Sequence, residues 1–357
     1  METQDVDQLD PKQIRKFGGR LFGIITDGLL TLLIDIGEKT GLFEAAASGP
    51  VTSQELADRA RLDERYVREW LGAMATSGIF TYEPGSQRYT LPPAHAVCLT
   101  GETAANLAPL AQVLAVLARQ VPKLTASFRN GGGVPYTDYQ PEMADVLDGQ
   151  FRRFYDQFLL MSLLPAAPDL PPRLEQGIRV ADIGCGNGHC VNLIARAYPH
   201  SQIVGYDIGE AGLARGQAEA AAWGLQNARF ERLDVAQLPA APGFDLITAF
   251  DVIHDQVDPA TVLRRVQQAL TPGGIFLMLD VKAASALEEN LGNPGAPYIY
   301  AVSTLHCMTV SLAEGGAGLG TAWGMERARQ MLKEAGFSQV EVVDTPNPGN
   351  CIYICRS

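Results

Sequence analysis

From residue 178 onward, short apolar runs alternate with longer stretches whose apolar residues recur at helical spacing. The apolar runs predict strands at 178–183, 202–207, 228–233, 244–250, 275–281, 338–344 and 350–356. Helical stretches separate the first six runs, which predicts a mainly parallel sheet covered by helices on both faces. The last two runs are separated only by residues 345–349, a link that permits an antiparallel hairpin and no parallel crossover. The predicted fold class is therefore α/β, a Rossmann-like seven-stranded sheet with an antiparallel last strand.

The pattern before residue 100 is different, because most of it has helical spacing. Thr52 or Ser53 can cap a helix whose first turn contains Glu55. A second helix follows Leu62, with apolar residues at helical spacing. Two short strand-like runs, 79–82 and 88–91, then flank the turn at 83–87. Two helices followed by a hairpin predict a winged helix.

Between these regions lies a helical section that ends in a proline-rich stretch, Pro165, Pro168, Pro171 and Pro172. We therefore divide the chain into three parts. Residues 1–100 form a helical and winged-helix dimerisation domain, 101–175 a helical linker that caps the substrate, and 176–357 the α/β domain.

Charge and composition exclude several classes of partner. The 357 residues carry a net charge of −12, and residues 52–91 contain six acids against five bases. Such a surface is poorly suited to nucleic acid or to an anionic membrane, so neither partner is expected. The acidic stretch 1–10 lacks the apolar core of a secretory signal. The six cysteines form no CxxC pair, which predicts reduced thiols, no metal site and a cytoplasmic protein.

The most apolar segment is residues 21–36, which also contain Asp27 and Asp35. It is shorter than the roughly 20 residues that a membrane span needs. Because its apolar side chains run almost all round the helix, we expect a buried helix or, through a second copy, a homodimer.

A glycine-rich segment, Val180–Cys190, lies where the first strand meets its helix. Gly184, Gly186 and Gly188 allow a sharp turn and close approach to a ligand. The GxGxxG spacing of dinucleotide folds fails because His189 follows Gly188, and the Gly-Lys-Ser/Thr of a phosphate loop is absent.

Carboxylates follow successive strands of the predicted sheet. Asp182 precedes the glycines, Asp207 ends the second strand and Asp234 ends the third. Asp207 is placed to hold ribose hydroxyls, and Asp234 to accept an exocyclic amine while Val235 packs against an adenine face. This set suits a cationic adenosine ligand. Each acid alone can equally cap the next helix.

Five segments together resemble the motifs of class I S-adenosylmethionine (SAM)-dependent methyltransferases: DIGCGNG (182–188), GYD (205–207), RLDVA (232–236), FDLITAFDVIHD (244–255) and LTPGGIFLMLDV (270–281). With its winged helix, the chain resembles bacterial winged-helix methyltransferases and the layout of plant-type small-molecule O-methyltransferases. The resemblance implies SAM as cofactor and a cofactor site formed by Asp182, Gly184, Cys185, Gly186, Asn187, Gly188, Asp207, Ile208, Asp234, Val235 and Phe250.

The resemblance also gives a role to His254 and Asp255. Plant-type O-methyltransferases have a His-Asp pair here, and their histidine deprotonates the acceptor hydroxyl, which raises its electron density as the methyl arrives. This chain departs from the pattern, because Gln256 replaces a tryptophan. His254 is a base, a pocket residue without proton transfer, or structural. Asp255 faces a helix start or the backbone, or else the substrate. Glu288, Glu289 and Glu326 are available to orient the imidazole.

Two further segments predict an acceptor pocket. The loop 130–139 combines three glycines with Tyr136 and Tyr139, and the long insertion 283–324 contains His306 and Trp323. A pocket covered by two segments of this apolar and aromatic composition favours a small, largely hydrophobic acceptor. We therefore predict a SAM-dependent methyltransferase of a small molecule, acting at oxygen. The alternatives are transfer to nitrogen, carbon or sulfur, and a SAM-responsive transcription regulator that uses the winged helix on DNA.

Overall fold

A computed structural model describes residues 9–357; for Gln150 it describes the backbone only. The expectation that residues 1–10 are no secretory signal therefore lies almost wholly outside the described residues. The chain contacts divide it into one unit ending at Ala115 and a second, Val116–Ser357. The three-part division predicted from the sequence stays a prediction.

The first unit is helical with one small hairpin. Its elements are α1 (Pro11–Lys39), α2 (Leu42–Ala46), α3 (Ser53–Ala60), α4 (Glu64–Thr76), β1 (Thr81–Glu83), β2 (Arg88–Thr90) and α5 (Pro93–Leu99). Thr52 caps α3, and its hydroxyl and the Glu55 carboxylate form the reciprocal bonds of a capping box. Phe43, Trp70 and Phe80 pack together in the centre of this unit. The predicted winged helix is confirmed as a helix pair followed by a hairpin.

Helix α1 differs from the expectation in length and exposure. It has 29 residues, of which only Asp35 and Gly37 are buried. Phe22 is 71% exposed and Leu29 61% exposed, so a large part of the apolar surface of α1 is exposed in this unit, although Leu30, Leu33 and Ile34 pack on its core. The expectation of a segment too short to span a membrane is wrong, because the helix continues beyond residues 21–36. By length and composition α1 is able to cross a membrane, a property that it shares with many helices of soluble proteins.

Four helices lead to the sheet of the second unit. They are α6 (Ala111–Ala118), which contains the boundary between the units, α7 (Val121–Asn130), α8 (Glu142–Phe158) and α9 (Leu170–Gln176). The later helices are α10 (His189–Ala197), α11 (Glu210–Ala222), α12 (Pro259–Ala269), α13 (Leu287–Asn290), α14 (Ala296–Val302), α15 (Met308–Ala313) and α16 (Met325–Glu334).

The sheet has the seven predicted strands. They are β3 (Arg179–Ile183), β4 (Gln202–Asp207), β5 (Ala228–Arg232), β6 (Phe244–Phe250), β7 (Leu270–Val281), β8 (Gln339–Asp344) and β9 (Asn350–Arg356), in the order β5-β4-β3-β6-β7-β9-β8. The first five strands are parallel, and β9 pairs antiparallel with β7 and β8. The predicted fold class is confirmed.

Helices cover both faces of this sheet, so its central strands are buried on both sides. One core contains side chains of α12 and α16, including Val262, Leu263 and Leu332. The other contains side chains of α9 and α10, including Leu174 and Ile194. Because β3 to β7 are parallel, their carboxyl ends meet at one edge of the sheet, where ligands bind in open α/β folds.

Candidate active site

The glycine loop 184–188 follows β3 in a conformation that requires glycine. Gly184, Gly186 and Gly188 all have positive φ angles of 53° to 73°. A methyl group on Gly188 would lie 2.2 Å from the Phe230 ring, and one on Gly184 would lie 2.5 Å from Val252. The backbone of the loop therefore approaches Phe230 of β5 and Val252, just after β6, closely.

Asp207, at the end of β4, holds this loop. Its Oδ2 accepts a bond from the backbone N–H of Gly186 at 2.8 Å, and Oδ1 accepts one from Gly209 at 2.7 Å. Asp182, at the end of β3, is 2% exposed and accepts a bond from the Thr248 hydroxyl at 2.6 Å. Burial raises the pKa of Asp182 to about 7, and the charge of Asp207 adds to the rise. The structure therefore brings these two predicted residues together beside the loop.

The other predicted cofactor residues differ in exposure and in their contacts. Asp234 is exposed and caps the turn Val235–Gln237 through a bond from the backbone of Ala236 at 3.0 Å. Val235 packs into the core below the sheet edge, whereas Ile208 is 54% exposed. Asp234 thus has the capping role, which was one of its two expected roles.

Two loop residues differ in what they offer a ligand. Burial raises the pKa of the Cys185 thiol well above its ordinary value, so the thiol stays protonated. Asn187 has a buried Oδ1 without a hydrogen-bond partner. A ligand donor is a natural partner for such an oxygen, because an unpaired buried acceptor costs about 1–3 kcal/mol.

His254 lies at the adjacent strand end, in the turn Ile253–Asp255 after β6. It is 2% exposed, and its Nδ1 lies 2.7 Å from Oδ1 of Asp280, the fully buried carboxylate near the end of β7. The indole N–H of Trp323 donates to the same oxygen at 3.2 Å. On the other side of the ring, Nε2 lies 3.4 Å from Oδ1 of Asp255. Two carboxylates therefore flank the imidazole.

These carboxylates control the protonation of His254. Burial alone would lower the pKa of the imidazole, but the charges of Asp280 and Asp255 outweigh it and hold the pKa well above the ordinary value. Asp255 therefore faces the imidazole and does not start the next helix. Asp258 is the residue that caps α12.

The carboxylates suggested for orienting His254 lie elsewhere. Glu288 and Glu289 are exposed, and Glu326 accepts a bond from the backbone of Ser285 at 2.8 Å. Among the described residues, Asp280 is the one whose side chain bonds Nδ1. That expectation is corrected, because the end of β7 is directly beside the end of β6, whereas the insertion diverges from it.

The predicted acceptor residues on the loop and the insertion are in contact. The Tyr139 hydroxyl donates to the carbonyl of Leu305 at 2.6 Å, and its ring packs edge-on against His306 at 4.7 Å. Tyr136 packs against the same imidazole at 6.2 Å. Burial raises the pKa of Tyr136, and the charges of Asp207 and Asp255 raise it further, which places the phenol between the two strand ends.

His306 itself is 4% exposed, and Nε2 has no partner. Burial lowers the pKa of this imidazole, so it is neutral at physiological pH. Trp323, the fourth predicted pocket residue, belongs instead to the support of Asp280. Phe250 packs against Tyr155 of α8, with ring centroids 5.5 Å apart.

Three residues of the site were not singled out from the sequence. Asp280 and Asp251 each occupy a strand end, so the strand-end rule applied to Asp182, Asp207 and Asp234 would have found them. Cys307 places its Sγ within 4.8 Å of donor atoms of His254 and Asp255. No sequence signal connects it to them, because that contact depends on the path of the insertion.

These residues fit the charges of SAM. Asp182 and Asp207 lie beside the glycine loop, and SAM carries an ammonium and a sulfonium that carboxylates would pair with.

Comparisons with known proteins agree with this geometry. Residues 174–336 match a family described as "Methyltransferase domain", and residues 28–101 match the "Rv2258c-like winged HTH domain". Over 149 residues the chain is 35% identical to trans-aconitate 2-methyltransferase of Methylobacterium nodulans, covering 41% of this chain and 53% of that protein. Over 100 residues it is 32% identical to ubiquinone biosynthesis O-methyltransferase of Acinetobacter baumannii, covering 28% and 41%. The chain thus spans about half the length of the curated relatives that it matches.

Solved structures extend the likeness of fold over nearly the whole chain. A putative O-methyltransferase from Nostoc punctiforme has a TM-score of 0.72 at 18% identity, covering 95% of this chain and 98% of that one. The mitomycin 7-O-methyltransferase MmcR has a TM-score of 0.68 at 17% identity, covering 97% and 99%. The chain therefore combines a domain of a methyltransferase family with a winged helix-turn-helix domain, in a fold shared with these structures.

Proposed function

We propose that the chain transfers the methyl group of SAM to an oxygen of a small, largely apolar acceptor, with His254 as general base. The observation that carries this proposal is the buried imidazole between Asp280 and Asp255, one strand away from the glycine loop. A histidine with one nitrogen anchored by a carboxylate presents its other nitrogen in a fixed direction. Here that nitrogen is Nε2.

Each residue of the site has a separate role in the proposed transfer. SAM supplies an electrophilic methyl on a sulfonium. Asp207 and the glycine loop hold the cofactor, Tyr136 and Tyr139 enclose the acceptor, and Nε2 of His254 takes the hydroxyl proton as the oxygen attacks. Asp280 keeps the ring oriented and stabilises the imidazolium that forms, because a charge-assisted bond is about twice as strong as a neutral one. Exclusion of water favours the reaction, since an anionic oxygen and a sulfonium give neutral products.

The test uses isotopically labelled SAM with a panel of phenols, amines and thiols, and product identification by mass. We expect methylated phenols. His254→Ala should keep SAM affinity within about threefold and lower kcat by on the order of 10²–10⁴, the usual scale for general-base catalysis. The loss should shrink for acidic phenols, which are already ionised. His200→Ala, an exposed histidine, is the matched control.

The pH dependence has a defined sign. The raised pKa of His254 means that the free base is depleted at neutral pH. kcat/KM should therefore rise with pH through an apparent pKa above that of an ordinary histidine, and the rise should vanish in His254→Ala. An unchanged pH profile in the variant would make His254 a pocket residue. Methylated amines or thiols without methylated phenols would select the alternative acceptors.

We further propose that the winged helix serves pairing of two chains and not DNA binding. Three of its five arginines are paired with acids: Arg88 with Glu55, Arg65 with Glu69 and Arg68 with Glu64. Few positive charges are left to release counterions from DNA. A gel-shift assay at low and high salt separates this proposal from a SAM-responsive regulator, which would bind tightly and lose affinity steeply with salt.

Helix α1 supplies the surface for a homodimer. Its exposed face and a groove of about 840 Å³ along α1 and α4, lined by Leu33, Ile36 and Tyr66, leave apolar area in water. An exposed apolar area of this extent on a soluble protein is typical of a self-association surface. The proposed location is the cytoplasm.

A further inference from the structure

Behind His254 lies a pair of buried carboxyl groups, Asp251 and Asp280. One oxygen of each carboxyl group and one ring nitrogen of His254 all lie within 4.8 Å of one another. Asp280 is fully buried, and its Oδ2 has no hydrogen-bond partner. Oδ2 of Asp251 is likewise buried and without a partner, while Asn350 donates to Asp251 Oδ1 at 3.1 Å. Two unpaired acidic oxygens thus lie in one small volume.

The backbone holds Asp251 in this place at a cost. Its φ angle is +55°, in the left-handed region that, apart from glycine, mainly asparagine and aspartate adopt. Its N–H donates to the carbonyl of Leu279 at 2.9 Å, which ties it to β7. Strain of this kind is typical of functional sites. Glycine and asparagine also tolerate this conformation, so the backbone alone does not require a carboxyl group here.

Several other groups share this volume. Six other titratable side chains interact with His254, Asp251 or Asp280: Asp255 from the same turn, Cys307 and His306 from the insertion, Tyr155 from α8, and Cys351 and Tyr353 from β9. No lysine or arginine is among these groups. Burial and the charge of Asp280 raise the pKa of Asp251 to about 7. In the cofactor-free protein, protons bound to these acidic groups therefore take the role that a neighbouring lysine or arginine would otherwise have.

SAM and its product differ at one charge. SAM has a sulfonium, whereas S-adenosylhomocysteine (SAH) has a neutral thioether. If His254 takes the acceptor proton, bound SAM would add one positive charge to the site that contains His254, Asp251 and Asp280, and bound SAH would add none.

We propose that Asp251, Asp280 and His254 jointly hold a proton in the cofactor-free protein, and that the sulfonium of SAM expels it. The O–H or N–H bond of this cluster breaks, its electron pair stays on oxygen or nitrogen, and the proton goes to the buffer. SAM binding thereby converts His254 to its free base, so that the base is active only when a methyl donor is present. After the transfer, the proton taken from the acceptor hydroxyl would stay on the cluster beside the neutral thioether of SAH, and no oxidation or reduction takes part. The inference rests on the proposed place of His254 in the reaction.

Isothermal titration calorimetry measures the released proton directly. The protein without cofactor is titrated at pH 7 in phosphate and in Tris, whose ionisation enthalpies differ, with SAM, SAH and sinefungin. Sinefungin carries an amine in place of the sulfonium. We expect SAM and sinefungin to release roughly 0.5–1 proton more than SAH, since a nearby cation favours ionised carboxyl groups and a neutral imidazole. Equal release for SAM and SAH would overturn the proposal.

A variant assigns the proton to this cluster. Asp251→Asn keeps a side chain that tolerates the left-handed backbone and removes one acidic group. It should bind SAM and lose at least half of the difference in proton release between SAM and SAH. Asp344→Asn, an exposed residue paired with Lys282, should behave as the wild type. A full wild-type difference in Asp251→Asn would contradict the proposed role of Asp251.

The same titrations separate two kinds of failure. If neither SAM nor SAH binds, the cofactor assignment is wrong and the inference falls with it. If both bind with equal proton release, the cofactor assignment stands and the proton-expulsion mechanism alone is wrong.

Discussion

Asp280→Asn tests the carboxylate that orients the base. The substitution keeps the shape of the side chain and removes its charge. In the wild type, Oδ1 of Asp280 accepts from His254 Nδ1 at 2.7 Å, from the Trp323 indole at 3.2 Å and from the backbone of Val281 at 2.7 Å. An amide oxygen can keep these acceptor roles, so we expect the variant to fold. What it loses is the stabilisation of the imidazolium.

The magnitude follows from that bond. A hydrogen bond to a charged group contributes roughly 1.5–3 kcal/mol, which corresponds to about a 10- to 150-fold lower kcat if the imidazolium forms in the transition state. The same loss makes His254 easier to deprotonate. The acidic limb of kcat/KM should therefore move to lower pH while the plateau falls. This pair of opposite changes distinguishes a charge partner from a residue that only supports the fold.

The assay follows methyl transfer from labelled SAM to the best phenol of the panel, from pH 5.5 to 9.5. An NMR titration of the His254 ring protons reports the pKa independently of turnover. Asp344→Asn is the control for a lost surface carboxylate. A lower plateau with an unmoved acidic limb, or a limb moved to higher pH, would refute the reasoning.

Three further predictions concern the cofactor, stability and pairing. Asp207→Ala removes the acceptor for the backbone N–H groups of Gly186 and Gly209 and the proposed ribose contact. A loss of about 1–3 kcal/mol corresponds to roughly 5- to 150-fold weaker SAM binding in calorimetry. Unchanged affinity would contradict the assignment of Asp207 to the cofactor site. Asp182 has a folded pKa of about 7 against an ordinary value of 3.8, so the folded state binds this proton more tightly than the unfolded state. The free energy of unfolding of the cofactor-free protein should therefore fall from pH 4 to pH 7, by at most about 4 kcal/mol from this group. Urea unfolding of Asp182→Asn should show a flatter pH dependence, and an equal slope would count against a buried, protonated Asp182. Finally, Phe22→Glu should yield monomers in light scattering where Val97→Glu, a change at another exposed apolar residue of the same unit, does not; a wild-type monomer at micromolar concentration would remove the pairing role of α1.

Local patterns in the sequence determined most of the sheet and of the cofactor edge. The strands fell within a few residues of their predicted bounds, apart from β7, which begins earlier, because apolar runs of this length between helical stretches have few other ways to be buried. The short link 345–349 was enough to reverse the last strand. Asp182, Asp207 and the three glycines could be predicted from the sequence for a related reason. A parallel sheet brings its strand ends to one edge, independently of the course of the loops.

Only the tertiary structure decided which groups face one another at that edge. Asp280 lies 26 residues from His254 along the chain, and Cys307 reaches it from an insertion whose course no local pattern specifies. The glutamates that were candidates for orienting His254 lie elsewhere, because strand adjacency in β6 and β7 brings Asp280 to the imidazole. The protonation of His254, Asp251 and Asp182 was likewise beyond the sequence, since a pKa depends on burial and on the distances to neighbouring charges. Both are fixed only when the sheet, the loop 130–139 and the insertion pack together.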